Sequence, residues 1–156
     1  MLDFNKTFEL IKKIGYFENV KVLKKTDKEL TIHATADSGV FVSIVEINIT
    51  YYGTVSFKLS LGKFANINDK YRKIKEDFVI AKRKYEGERN GLFMFSSISY
   101  NNETHVALLF NDITITRDNT TPEKVKAMLL KACDYVFNSS LSGYITAMGI
   151  ALNEKK

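Results

Sequence analysis

The stretch Thr121-Pro122-Glu123-Lys124-Val125-Lys126-Ala127-Met128-Leu129-Leu130-Lys131-Ala132-Cys133-Asp134-Tyr135-Val136-Phe137 decides the fold. Apolar residues at Val125, Met128, Leu129, Ala132, Cys133, Val136 and Phe137 follow the spacing of one helix face. Thr121 suits the N-cap, Pro122 the first helical position, and Glu123 the positive end of the helix dipole. The chain therefore carries a long packing helix near its C-terminal end. Past Asn138-Ser139-Ser140, where that helix is expected to break, Leu141, Tyr144, Ile145, Met148 and Leu152 form a second apolar stripe, weakened by Gly143 and Gly149.

Upstream, the spacing is mostly that of strands. Phe4, Phe8, Ile11 and Ile14 first outline a short helix, with Asp3 as N-cap and Gly15 as its stop. Residues 19–25 read as a strand, and Leu30, Ile32, Ala34 and Ala36 alternate with Thr31, His33 and Thr35 in the next. A β-rich run covers Val40 to Tyr52. After Gly53, Val55, Phe57, Leu59 and Leu61 alternate with Thr54, Ser56, Lys58 and Ser60, as a half-buried antiparallel strand requires. Ile67, Tyr71, Ile74, Phe78, Ala81 and Tyr85 recur at steps of three and four and predict a middle helix ending near Gly87; the alternative is a strand over Phe78 to Tyr85. Leu92 to Tyr100 and Thr104 to Thr116 are strands about an Asn101-Asn102 turn, with a bulge or bend expected near Asn111-Asp112, where the apolar parity changes towards Ile113 and Ile115. The sum is one α+β domain over residues 1–156: an antiparallel sheet of about six strands with an N-terminal helix, a middle helix and a long C-terminal helix.

Chemistry is harder to find. His33 and His105 sit in separate strands, without the close ligand pairs of a zinc site; His33 reads as solvent-facing and His105 as a residue beside the hairpin turn. The single cysteine, Cys133, excludes an internal disulfide and falls on the buried stripe, where a thiol is a poor nucleophile even if a histidine meets it in space. The glycines are scattered at turns and form no phosphate loop. No catalytic residue, metal or cofactor is expected. The N-terminus has neither a signal-peptide pattern nor an apolar span, so a cytoplasmic location follows by elimination.

The net charge of +5 comes from nineteen lysines and only four arginines, the residue favoured for planar phosphate recognition. Most of the excess lies between Lys70 and Asn90, where Tyr71 and Tyr85 are interleaved with cations. The candidate partner-binding residues are Lys75, Lys82, Arg83, Lys84 and Arg89. Such a helix suits an acidic protein surface or a nucleic-acid backbone; a merely solvated face is the plainer alternative.

The helix ending Ile14-Gly15-Tyr16, the strand meander, the middle helix, and Ile113-Thr114-Ile115 followed by Thr120-Thr121-Pro122-Glu123-Lys124-Val125 resemble the YbjN and type III secretion chaperone-like fold. The resemblance covers most of the chain. It implies a non-catalytic protein that binds other polypeptides, often as a homodimer, and it transfers no catalytic residue. The expected function is therefore a cytosolic protein-binding module, chaperone- or adaptor-like. The alternative is a phage- or mobile-element-encoded inhibitor or nucleic-acid-binding protein using the basic middle helix.

Overall fold

In a computed structural model, which describes residues 2–86, 91–112 and 118–154, six antiparallel strands form one sheet with helices on a single face. The elements in chain order are α1 (Phe4–Lys12), β1 (Glu18–Lys25), β2 (Glu29–Asp37), β3 (Val42–Thr50), β4 (Val55–Lys63), α2 (Asp69–Glu86), β5 (Gly91–Tyr100), β6 (Glu103–Asp112), α3 (Pro122–Asn138) and α4 (Ser142–Asn153). The strand order is β1-β2-β3-β4-β6-β5.

The local rules that predict the helices are the ones they use. Thr121 Oγ1 accepts from the Lys124 amide at 3.2 Å, with Pro122 opening α3. Asp3 accepts from the Lys6 amide at 3.0 Å and caps α1. Gly15 does not stop α1: the helix ends at Lys12, with Lys13 as its C-cap in right-handed geometry. Residues 78–85 are helical and not a strand, because Tyr71 and Phe78 are buried on one side of a continuous α2. Ser139 separates α3 from α4: in extended conformation it takes the Leu141 amide on its hydroxyl at 3.1 Å.

Between β5 and β6, Asn101 and Asn102 both have positive φ, at 49° and 63°, the requirement of a tight hairpin turn. From there β5 and β6 stay in register out to Gly91 and Asp112, so β6 has no bulge against β5 within the described residues, and the residues just past Asp112 lie outside them. The irregularity lies instead in β4, between Ser60 and Gly62, opposite Ala107 and Val106. Ile113 and Ile115 lie outside the described residues.

Alternation divides the sheet. Ile32, Ile47, Phe57, Leu59, Leu108, Phe110 and Phe93 are buried beneath the helices, with Phe93 stacked on Tyr135 of α3 at 4.4 Å and Phe95 meeting Phe78 of α2 at 5.8 Å. The opposite face carries Thr31, His33, Glu46, Lys58, Ser60, His105 and Tyr100. Neighbouring strands lie about 4.8 Å apart, so a flat sheet would hold β2 and β5 roughly 19 Å from each other. The rings of His33 and Tyr100 are nevertheless 6.0 Å apart. The sheet therefore curls, closing this face around its own polar residues.

Candidate functional site

The helix layer has a gap where the chain has small side chains. The α3–α4 joint and the start of α4 carry Ser139, Ser140, Ser142 and Gly143, and the facing position of α2 is Ala81. None fills the space between the C-terminal half of α2 and the joint. A cavity of about 540 Å³ results, lined by Asp77, Ile80, Ala81, Lys84, Tyr85, Ser140, Leu141 and Tyr144. A second, of about 500 Å³, shares Tyr85 and is walled mainly by α3, with Phe110 and Tyr135 contributing aromatic surface.

Tyr85 stands between the two, edge-on to Tyr135 at 5.1 Å. The walls are held by polar ties. Asn68 caps α2 by accepting the Tyr71 amide at 2.9 Å, and its side-chain amide donates to the Ala151 carbonyl of α4 at 2.6 Å. Lys70 pairs with Glu154 at 2.6 Å across the same two helices. On α3, Tyr16 donates to Asp134 at 2.7 Å, which raises the tyrosine pKa from its ordinary value chiefly through that bond. Two apolar side chains stay exposed at the mouth: Ile80 at 57% and Tyr144 at 37%. Helix α4 contains no charged residue between Ser142 and Asn153.

The sequence-predicted cations are not gathered in one patch. Lys84 lines the first cavity; Arg83 is exposed, one turn beyond Ile80, and lines neither cavity. Lys75 lies over the Phe95 ring at 4.5 Å. Nine residues apart on a helix turning 3.6 residues per turn, Lys75 and Lys84 occupy opposite sides of α2. Lys82 is half-buried, and Arg89 lies outside the described residues. The cavities were not legible from periodicity; the small residues Ser139, Ser140, Ser142 and Gly143 are the signal that points to them.

The polar face of the sheet corrects a second expectation. His33 is not solvent-facing but 7% exposed, with Nε2 3.5 Å from Glu46 Oε1, because the curl of the sheet brings Tyr100 over it. His105 is buried as well; its Nδ1 is 2.9 Å from Ser60 Oγ, while Nε2 has no hydrogen-bond partner among the described residues and lies 3.9 Å from Glu103. Cys133 is on α3, so the sheet stands between it and both imidazoles. Burial pushes its thiol up to about 12, with Asp134 adding to the effect, which suppresses the thiolate. Among the described residues no group of three or more His, Cys, Asp or Glu could hold a metal ion, and no helix is long and apolar enough to cross a membrane.

Compared with known protein families, curated proteins and solved structures, the chain matches none of them. The chemistry of the surface therefore carries the functional reading. An open, aromatic-walled cleft with cations at one end is suited to holding another molecule.

Proposed function

We propose that this chain is a non-catalytic, chaperone- or adaptor-like protein that binds another polypeptide in the cytoplasm through the cleft between α2 and α4. The carrying observation is Ile80. A β-branched apolar residue stands 57% exposed in the middle of a lysine-rich helix, beside a cavity whose far wall is the uncharged α4. Exposed apolar residues are ordinary when single; here Tyr144 joins Ile80 at the mouth of one cleft. Arg83 and Lys84 follow Ile80 at i+3 and i+4 and give the rim positive charge, which favours a partner with acidic groups. The resemblance to the secretion chaperone-like fold supports the same reading, since proteins of that fold bind polypeptides.

Of the two sheet edges, β1 and β5, the β1 edge is poorly suited to adding a strand. Two register irregularities interrupt its pairing with β2, and Lys21, Lys24 and Lys25 line it, devices that blunt strand addition. The nucleic-acid reading rests on the charge of the middle helix. Part of that charge is engaged internally: Lys70 with Glu154, Arg72 with Asp69 and Lys75 with the Phe95 ring.

A photo-crosslinking amino acid placed at Ile80, with a control at the exposed turn residue Asp27, tests the proposal in the cells the protein comes from. A discrete protein adduct is expected from position 80, absent from position 27 and lost on Lys84→Glu. Equal labelling from both positions, or none from position 80, would refute it.

A further inference from the structure

The cleft has more definition than a generic sticky surface. Its two cavities share Tyr85 as a wall, and the Tyr85 ring is braced edge-on against Tyr135, with Tyr135 stacked on Phe93 of the sheet. Tyr85 is therefore a fixed partition and not a loose cover. The floor on one side is Leu141 and on the other Phe110 and Tyr135, all buried. Each compartment offers apolar walls to a large side chain, and the two compartments together fit a pair of such side chains projecting from one segment.

Charge sets the direction. Along the α2 wall, Asp77 and Lys84 both line the first cavity. Seven residues apart, they stand two helical turns, or about 10 Å, from each other. Arg83 adds to the positive end, and no ion pair to Arg83 or Lys84 occurs among the described residues. In the second cavity the carboxylate of Asp134 is already engaged by Tyr16 at 2.7 Å. Lys131, which also lines the second cavity, already has an interaction within the chain, so the positive end near Lys84 is the place for a partner carboxylate, and Asp77 disfavours one at the other end.

Backbone geometry sets the form of the occupant. Of the lining residues only Phe110 belongs to a strand, and β6 is hydrogen-bonded on both sides, to β4 and to β5. The cleft therefore presents no free strand edge. A segment entering it must satisfy its own peptide groups, as a helix does.

We infer that this cleft seats an acidic amphipathic helix of a partner protein. Two large apolar side chains one turn apart straddle Tyr85, and carboxylates follow against Arg83 and Lys84. Residues one turn apart on a helix are separated by about 5–6 Å, a spacing that places one on each side of an aromatic ring. This rests on the reading of the α2–α4 surface as a polypeptide-binding site and names the class of polypeptide.

The probe is a phage-displayed library of random peptides long enough for several helical turns, panned on the intact chain. Enriched sequences are then measured by fluorescence anisotropy against the wild type, Ile80→Asp, Tyr144→Ala, and Arg83→Glu with Lys84→Glu. Thermal melts confirm that each variant folds. Expected are peptides with paired large apolar residues at helical spacing and an acidic excess. Their affinity should drop at least about tenfold, or 1.4 kcal/mol, in the double charge reversal and more in Ile80→Asp. Peptides without acidic bias that still depend on Ile80 would overturn the acidic helix and leave polypeptide binding standing. No enrichment, or binding indifferent to Ile80→Asp, would overturn both.

Discussion

The ring of Tyr100, at the end of β5, rests 6.0 Å from that of His33 in β2, although β3, β4 and β6 lie between those strands in the sheet. Tyr100 also meets His105 edge-on at 6.4 Å. One aromatic side chain thus joins the two buried imidazoles and holds the curl of the sheet closed over Thr31 and Ser60.

Tyr100→Ala is expected to loosen that curl. A half-buried aromatic removed from a polar interior should cost about 1–3 kcal/mol, less than the full loss for a core ring. Tyr100→Phe should be almost neutral, because no hydrogen bond to the hydroxyl is found among the described residues. Urea unfolding gives the energies. Hydrogen exchange at the amides of β2 should rise in the alanine variant and not in the phenylalanine one; equal behaviour of the two would show that the ring does not hold the sheet.

Gly62 is a point of close approach between the sheet and α4. Its φ is 156°, and a Cβ there would come within 2.8 Å of Leu152 Cβ and 3.0 Å of Asn153 Nδ2. Asn153 is itself tied to the Leu61 carbonyl at 3.0 Å, so α4 has little room to retreat. Gly62→Ala should therefore destabilise by roughly 2–3 kcal/mol, combining steric overlap with an unfavourable backbone conformation. Gly143→Ala makes the control: nothing lies within 4 Å of its added Cβ, and in a helix the exchange should be neutral to stabilising. A Gly62→Ala melting curve matching the wild type would contradict the close docking of α4.

Sequence periodicity was enough for the elements and insufficient for their curvature. The Thr121-Pro122-Glu123 cap, the apolar steps of α2 and the Asn101-Asn102 turn are local signals, decided by backbone sterics and hydrogen bonds within a few residues. His33 shows the limit. In an alternating strand it falls on the polar face, and period two says nothing of whether that face is open or rolled. Ser60 and His105 are similar: forty-five residues separate them, and only the β4–β6 pairing brings them to 2.9 Å. The cleft is a property of what small residues leave empty, and apolar patterning marks only what is filled.

Alkaline pH should unfold the chain through two buried groups. Burial pushes the Cys133 thiol up to about 12 from an ordinary 9.0, and the Tyr71 hydroxyl up to about 12 from 10.0. Both are neutral when protonated, so the folded state keeps protons that the unfolded chain releases. Stability is complete below the ordinary values and falls as pH rises from 9 towards 12. Urea midpoints across that window should decline, and the decline should be shallower in Cys133→Ala, whatever that variant loses by its smaller side chain. A thiol-specific reagent near neutral pH should leave Cys133 unmodified until denaturant is added; rapid labelling of the native chain would mean the α3 stripe opens readily.

Nucleic acid should bind weakly. Among the cations of α2, Lys70 and Arg72 already face carboxylates at 2.6 and 3.3 Å, and Lys75 lies against the Phe95 ring. A phosphate must compete for each of these, while Lys84 points into the cleft and not along a continuous basic track. Each phosphate contact adds about 0.9 to the slope of log affinity against log salt for duplex DNA. Labelled mixed-sequence duplex and single-stranded DNA, followed by fluorescence anisotropy at two salt concentrations, should give a slope of about 2 or less. The dissociation constant should lie no tighter than the micromolar range of non-specific contacts. A slope several-fold steeper, abolished by reversing Arg83 and Lys84, would instead make this helix a nucleic-acid surface and leave the apolar cleft beside it without the role assigned above.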